Sequence, residues 1–279
     1  MIVERLAHFG GCIAEPLDDE HVRIGPVLVR RSRQSLRQPR PSREIIYFSQ
    51  TMHDSKVFFC GDPHGEFGPL IEVVQQHRPE AVVIAGDIQA KRPLDQELAS
   101  ILPLTDVWWI HGNHDTDSDE DYDNLFGSQL ADRNLHGRVV TVAGIRIAGL
   151  GGTFRDHVWM PPDAPLFTGE AEYLAQCGKG NYWRDGLPRR HRSSIFPATF
   201  YSLMLQQADV LVSHEAPACH PHGFDEIDAL IEAMGVQRAF HGHHHQSIAY
   251  PSGGAYRAFG LGVRAVATIA GDFLTSGPA

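Results

Sequence analysis

Short apolar runs recur along the chain from residue 56 onward, and polar, glycine-containing turns separate them. The runs are rich in Val, Ile, Phe and Trp, which is typical of buried strands. Their positions predict strands at 56–60, 81–85, 106–110, 209–213 and 238–242, and a hairpin over 138–150.

Segments with helical spacing of apolar residues lie between several of these runs. They predict helices within 67–77, 93–102, 197–207 and 225–235; the last begins with acidic residues and ends at Gly235, a plausible helix stop. Strands alternating with helices indicate an α/β fold with largely buried sheets. Three late strand-like runs have no helices between them, so we expect the sheet to end in a mixed or antiparallel section; they are 247–251, 255–261 and 264–270.

The first 51 residues differ from the rest in composition. Residues 30–43 are rich in Arg, Ser, Gln and Pro, with Leu36 as the one large apolar residue, so they predict an exposed linker or arm. Residues 22–30 before it are suited to a strand. We therefore expect residues 1–51 to be an N-terminal extension with an Arg-rich linker and residues 52–279 to be one domain.

Within this domain the regular pattern stops at about 153–196, where aromatic residues, Pro and Arg predominate. Long irregular segments inside compact domains are often lids or binding loops. The segment predicts a cap-like insertion; a surface insertion with solvated arginines is the alternative.

Composition narrows the possible surroundings and partners. The chain has 279 residues, and no apolar stretch approaches the ~20 residues of a membrane helix. Its four cysteines are scattered without a CxxC pair, which favours a reducing, cytoplasmic location. The net charge of −10 disfavours nucleic acid as a partner, since that affinity depends on cationic contacts to phosphate. An Arg-rich arm that binds nucleic acid is the alternative interpretation of residues 30–43.

Polar side chains follow five of the predicted strands at their carboxyl ends. In open α/β sheets the ligand crevice lies beyond that end of the strands, so these side chains are expected to meet in space. Carboxylate, amide and imidazole groups without a thiolate suit divalent ions such as Mn, Fe or Zn. The donors are too many for one ion, and a two-metal site favours in-line displacement at phosphorus. The side chains that follow the strands are Asp62, His64, Asp87, His111, Asn113, His114, Asp115, His214, His241, His243, His244 and His245.

The motifs GDPHG, GD, GNHD, a lone His after a strand, and GHHH occur in that order. Together they resemble the five blocks of the calcineurin-like metallophosphoesterase superfamily over roughly residues 56–250. The resemblance implies a four-layer α/β/β/α sandwich of mixed sheets flanked by helices. It also implies an enzyme that hydrolyses phosphodiester or phosphomonoester bonds, nucleotides included, with a hydroxide between two divalent ions as the nucleophile.

The resemblance assigns metal ligands to matching positions. Two ions are implied, with Mn favoured over Fe, Zn or Ni. The first would be held by Asp62, His64 and His245. The second would be held by Asn113, His214 and His243, and Asp87 would bridge both. His244 is interpreted as a residue that does not bind metal.

Other positions would act on the substrate. By the same resemblance His114 would face the phosphate, where it would stabilise developing charge or protonate the leaving oxygen, and Asp115 would orient it. Arg155 and Arg184, in the insertion, are candidates for phosphate contacts. The expected partner is a phosphorylated small molecule or nucleotide rather than a membrane, and the oligomeric state stays open.

Two features separate this sequence from the protein Ser/Thr phosphatases. IQAKRP follows the GD block where that branch has VDRG, and the third block reads GNHD instead of GNHE. A second function class is a catalytically inactive scaffold that keeps this fold for protein interaction. Such scaffolds lose ligands or the histidine of the third block, whereas His114 and the full ligand set are present here.

Overall fold

The structure is a computed structural model that describes residues 57–251 and 255–277 and three short strands before them. These strands form an antiparallel sheet in the order β1-β2-β3: β1 (Ala14–Pro16), β2 (His21–Ile24) and β3 (Val27–Arg30). The strand predicted over 22–30 is therefore two strands paired with each other. Most of the predicted linker and the expected domain boundary at residue 52 lie outside the described residues.

A five-stranded sheet forms one half of the domain, in the order β14-β13-β4-β5-β6. Strands β4, β5 and β6 run parallel, whereas β13 and β14 are antiparallel to their neighbours. The strands are β4 (Val57–Cys60), β5 (Ala81–Ala85), β6 (Asp106–Ile110), β13 (Val266–Thr268) and β14 (Phe273–Thr275).

A six-stranded sheet forms the other half, in the order β11-β12-β10-β9-β8-β7. Its four inner strands are parallel and its two edge strands are antiparallel, so both the predicted hairpin and the mixed final section are confirmed. The strands are β7 (Arg138–Val142), β8 (Ile145–Leu150), β9 (Val210–Ser213), β10 (Arg238–His241), β11 (Ile248–Ala249) and β12 (Arg257–Gly260).

Six α-helices connect the strands in the described residues: Gly68–His77, Leu94–Glu97, Asp119–Phe126, Glu170–Gln176, Pro197–Met204 and Asp225–Met234. The prediction of a helix over 93–102 is wrong beyond Glu97. There the backbone N–H groups of Ile101 and Leu104 each donate to the carbonyl three residues earlier, at 2.9 Å. The chain therefore continues as tight turns instead of an α-helix.

The two sheets pack face to face, and helices cover their outer sides. Apolar side chains from both sheets form one buried cluster between them, in which the rings of Phe59 and Phe240 stack with centroids 3.9 Å apart. A second cluster lies under the helices Pro197–Met204 and Asp225–Met234, and a third under Gly68–His77. The fold is thus the expected four-layer α/β/β/α sandwich. None of the helices in the described residues is both long enough and apolar enough to cross a membrane.

Gly235 ends the helix Asp225–Met234 in the left-handed conformation, with φ of 68°. A Cβ is strained at this φ. We expect Gly235→Ala to lower the free energy of unfolding by about 1 kcal/mol in urea titrations. Gly68→Ala is the matched control, because a Cβ at Gly68 meets no atom within 4 Å and its φ is not positive. Equal stabilities of the two variants would contradict the prediction.

Candidate metal centre

Two groups of possible metal ligands meet beyond the carboxyl ends of strands from both sheets. His64, Asp87 and His245 form one group, and Asp87, His214 and His243 form the other; within each group the ligand atoms lie within 4.8 Å of one another. Asp87 belongs to both groups, as expected of a bridging carboxylate.

The other two predicted ligands lie against these groups. The Asp62 carboxylate is 3.8 Å from His245 Nε2 and 3.9 Å from His214 Nδ1. Asn113 Oδ1 is 3.2 Å from His214 Nε2. All seven positions assigned to metal binding therefore share one site. His244 belongs to neither group, and its ring stacks on that of His220 with centroids 3.7 Å apart.

In His214 and His64, Nδ1 forms a hydrogen bond with a neighbouring oxygen, so Nε2 is the nitrogen that faces the other predicted ligands. Nδ1 of His214 lies 2.9 Å from the carbonyl oxygen of Ala85, an acceptor, so Nδ1 carries a proton and Nε2 is the nitrogen that would bind a metal ion on losing its own proton. Nδ1 of His64 lies 2.7 Å from Gln89 Oε1, which assigns the same tautomer there. Such contacts commonly orient metal-binding imidazoles.

Nε2 of His64 lies 3.2 Å from Nε2 of His245. Two ring nitrogens facing each other across this distance need a proton or a cation between them, since two lone pairs repel. The contact therefore fits an N–H···N hydrogen bond between the rings, and equally a cation held by both.

The backbone is strained at the residues that carry these groups. φ is 33° at Asp62, 44° at His64, 46° at Asp87, 70° at His243 and 57° at His245. Positive φ is uncommon outside glycine, and clusters of it are typical of functional sites.

Gly112 allows the turn after strand β6 to lie close to Asp87, which follows strand β5. A Cβ at Gly112 would lie 2.1 Å from Asp87 Oδ1. Only glycine lets the Asn113 turn come this close to the Asp87 carboxylate.

The site contains buried carboxylates that a bound cation would stabilise. Asp62 is fully buried, and its Oδ1 has no hydrogen-bond partner. Burial, together with the charge of nearby Asp87, raises the pKa of Asp62 to about 8, although His214 opposes the rise. Burial disfavours the His214 cation, yet the carboxylates of Asp87 and Asp62 raise its pKa to about 10. Oxygen and nitrogen donors around an orphaned buried carboxylate oxygen fit divalent cations.

The structure corrects the role expected of Asp115. Its carboxylate accepts hydrogen bonds from the backbone N–H groups of Gln89 and Gly112, at 2.8 and 2.7 Å, and thus fixes two turns of the site. The partner of the His114 ring is Asp117, whose Oδ2 lies 2.5 Å from Nδ1. His114–Thr116 form a 3-10 turn, which places residues three apart on the same side.

Arg184 lies away from the ligand groups, contrary to expectation. Its guanidinium pairs with Asp123 at 2.9 Å and lies 3.6 Å from Asp119. These acids belong to the helix Asp119–Phe126, whose first turn is acidic and attracts cations. Arg184 therefore helps to hold the insertion against this helix.

Arg189 fastens the insertion to the turn that carries His114. Its Nε donates to the carbonyl oxygen of Thr116 at 3.1 Å and its Nη2 to that of Asp117 at 2.6 Å. The hydroxyls of Thr116 and Ser193 form a further bond at 2.7 Å. The insertion thus supports the His114–Asp117 pair.

Arg155 lies beside the site. It lines a cavity of about 330 Å³ that also borders on two of the predicted ligands, Asn113 and His243. The other lining residues are Thr153, Phe154, Met160, Glu215, His222, Phe224 and His244. Of these, Glu215, His222 and Phe224 lie outside the predicted insertion and were not expected from the sequence.

Residues 55–247 match the family described as calcineurin-like phosphoesterase. The chain belongs to this family. It is 42% identical over 218 residues to an uncharacterized protein of Haemophilus influenzae, a match that covers 78% of the chain and 96% of the relative.

Solved structures are similar at lower identity. One is TT1561 of Thermus thermophilus, with 15% identity and a TM-score of 0.49, covering 78% of this chain and 96% of that one. Another is a dimetal phosphatase from Danio rerio, with 14% identity and a TM-score of 0.46, covering 77% and 93%.

Proposed function

We propose that this chain is a dinuclear-metal-dependent phosphoesterase that hydrolyses phosphodiester or phosphomonoester bonds of small molecules, nucleotides included. The observation that carries the proposal is the position of Asp87, which is shared by two groups of three ligands. A carboxylate has two oxygens and can bind two adjacent ions, and a two-metal site of a phosphoesterase needs its ions to be held close together. Membership of the phosphoesterase family supports the same reaction class.

The two ions would be held by separate sets of side chains around Asp87. Asp62, His64 and His245 suit the first, and Asn113, His214 and His243 suit the second. Divalent ions supply positive charge for the phosphate and lower the pKa of a water molecule. Donor chemistry admits Mn, Fe, Zn and Ni, and we propose Mn as the resident ion.

His114 is the residue of this chain best placed to act on the leaving group. Its side chain is 45% exposed, unlike the buried Asp87 and His214, and Asp117 holds its Nδ1. Burial lowers and the hydrogen bond to Asp117 raises the pKa of His114, with a net rise that favours the protonated ring. Such a ring can stabilise charge on a phosphate oxygen or donate a proton to the leaving oxygen.

The test is hydrolysis of bis-p-nitrophenyl phosphate and p-nitrophenyl phosphate by protein stripped with a chelator and resupplied with Mn²⁺. We expect turnover that requires the ion and that falls about 10²–10⁴-fold in His114→Ala, the range for loss of a general acid. Asp132→Ala is the control, since Asp132 is exposed and outside the site. The ratio of diester to monoester rates identifies the preferred class.

Absence of turnover with Mn, Fe, Zn and Ni, in protein shown to bind two ions per chain, would overturn the proposal. That result would favour the non-catalytic scaffold.

A further inference from the structure

The cavity beside the ligand groups opens directly onto them. Asn113 and His243, both assigned to the second ion, form part of its wall. A molecule that fills the cavity can therefore place one end at the ligand groups. A volume of about 330 Å³ is at the small end of ligand pockets and suits a small organic group, not a polymer.

Arg155 brings a cation to this cavity without a matching anion. Its Nη2 donates to the Ser193 hydroxyl at 3.2 Å, and its Nε is buried with no hydrogen-bond partner. In the described part of the chain no carboxylate lies within ion-pairing distance of Arg155, whereas Arg184 and Arg189 are both paired. Ser193 is the one hydrogen-bond partner of the guanidinium among the described residues, so its terminal N–H groups keep the capacity to pair with a bound anion.

Three residues of the remaining wall are apolar, Phe154, Met160 and Phe224, beside the polar Thr153, Glu215, His222 and His244. Phe154 and Phe224 lie with ring centroids 4.7 Å apart, and Met160 is 37% exposed despite its apolar side chain. Glu215 also lines the cavity, but its Oε1 accepts the backbone N–H of Phe154 at 3.0 Å. An aromatic or similarly apolar group would contact this wall.

Arg155 and the predicted ligands have different surroundings. The guanidinium is bonded to Ser193 of the insertion, while Asn113 is bonded to His214 in the site. A substrate with a second anionic group could pair with Arg155 while its phosphate lies at the ligand groups.

We infer that the cavity binds the organic part of a phosphoester that carries a second anionic group, and that Arg155 is the specificity-determining residue that pairs with this group. The inference rests on the proposed phosphoesterase function. A carboxylate or a second phosphate has the chemistry that a guanidinium recognises through two hydrogen bonds.

The experiment compares two esters that differ by one anion, phenyl phosphate and 3-carboxyphenyl phosphate, in the Mn²⁺-loaded protein. We expect kcat/KM to be at least about 10-fold higher for the carboxylated ester, and Arg155→Met to lower this preference by a similar factor. Arg138→Met is the matched control: it removes the same charge from the exposed edge strand β7 and should leave the preference unchanged.

Calorimetric titration with the non-hydrolysable phenylphosphonate and 3-carboxyphenylphosphonate provides a readout without turnover. We expect tighter binding of the carboxylated compound and loss of that difference in Arg155→Met. If neither ester is hydrolysed but this difference is found, the proposed function fails, while the pairing of Arg155 with the second anionic group of a bound ligand stands. If both esters are hydrolysed and the wild-type ratio is close to one, the inference is overturned while the function stands. The wild-type ratio is decisive even where Arg155→Met does not fold.

Discussion

Replacing Asp87 with Asn is expected to lower kcat/KM for bis-p-nitrophenyl phosphate by at least about 100-fold. Loss of a residue that only supports a metal ligand typically costs about 10–100-fold, and Asp87 is placed to contact both ions itself. Its Oδ1 also accepts the backbone N–H of His114 at 2.9 Å and lies 3.4 Å from His214 Nε2. Asn has nearly the same shape, so the change removes mainly the negative charge.

The matched control for Asp87→Asn is Asp95→Asn. Asp95 is also a buried aspartate, but its Oδ1 accepts the backbone N–H of Gln129 at 2.9 Å, away from the ligand groups. Kinetics and metal content per chain should be measured together for both variants. We expect loss of activity and of at least one bound ion in Asp87→Asn only. Activity within threefold of wild type in Asp87→Asn would refute the bridging role.

Phe240→Ala is expected to lower the free energy of unfolding by about 3–5 kcal/mol, the usual range for a buried phenylalanine. Phe240 is fully buried between the two sheets. Its ring stacks on Phe59 at 3.9 Å and on Phe259 at 5.0 Å between centroids. Removing the ring leaves a cavity that two hydrogen-bonded sheets cannot easily close.

Urea titration followed by tryptophan fluorescence measures this loss. Leu166→Ala is the control, because Leu166 is 62% exposed and its truncation should change stability by less than about 0.5 kcal/mol. A loss below about 1 kcal/mol in Phe240→Ala would contradict the packing between the sheets.

Sequence patterns predicted the framework of the domain well. Each of the buried strands that precede the site begins and ends within one residue of the prediction, because continuous runs of β-branched and aromatic residues have few alternatives to a buried strand. The backbone of segment 93–102 was more difficult to predict. Leu98 and Ile101 are buried in the observed tight turns, and an α-helix would bury them as well. Burial alone does not specify the backbone path there.

The sequence allowed prediction of those site residues that directly follow the carboxyl ends of strands. Ligands beyond strands β4, β5, β6, β9 and β10 converge because these strands share a direction within each sheet. Asp117 was missed, since only the 3-10 turn at His114–Thr116 brings it to the His114 ring, and the sequence offers Asp115 equally. Arg184 was misplaced because its pairing with Asp123 joins residues 61 apart in the chain.

Because the predicted ligands are divided between the two sheets, the site can form only after both sheets have folded. Asp62 and Asp87 follow strands of the five-stranded sheet, whereas His214 and His243 follow strands of the six-stranded sheet; Asp62 accepts a hydrogen bond from His243, 181 residues away. Contacts of such separation form late in folding. A nascent chain that has emerged only through β8 lacks His214, His243 and His245. Cations that bind the finished site would favour the folded state by mass action, so metal supply during synthesis would govern the yield of folded protein as well as its activity.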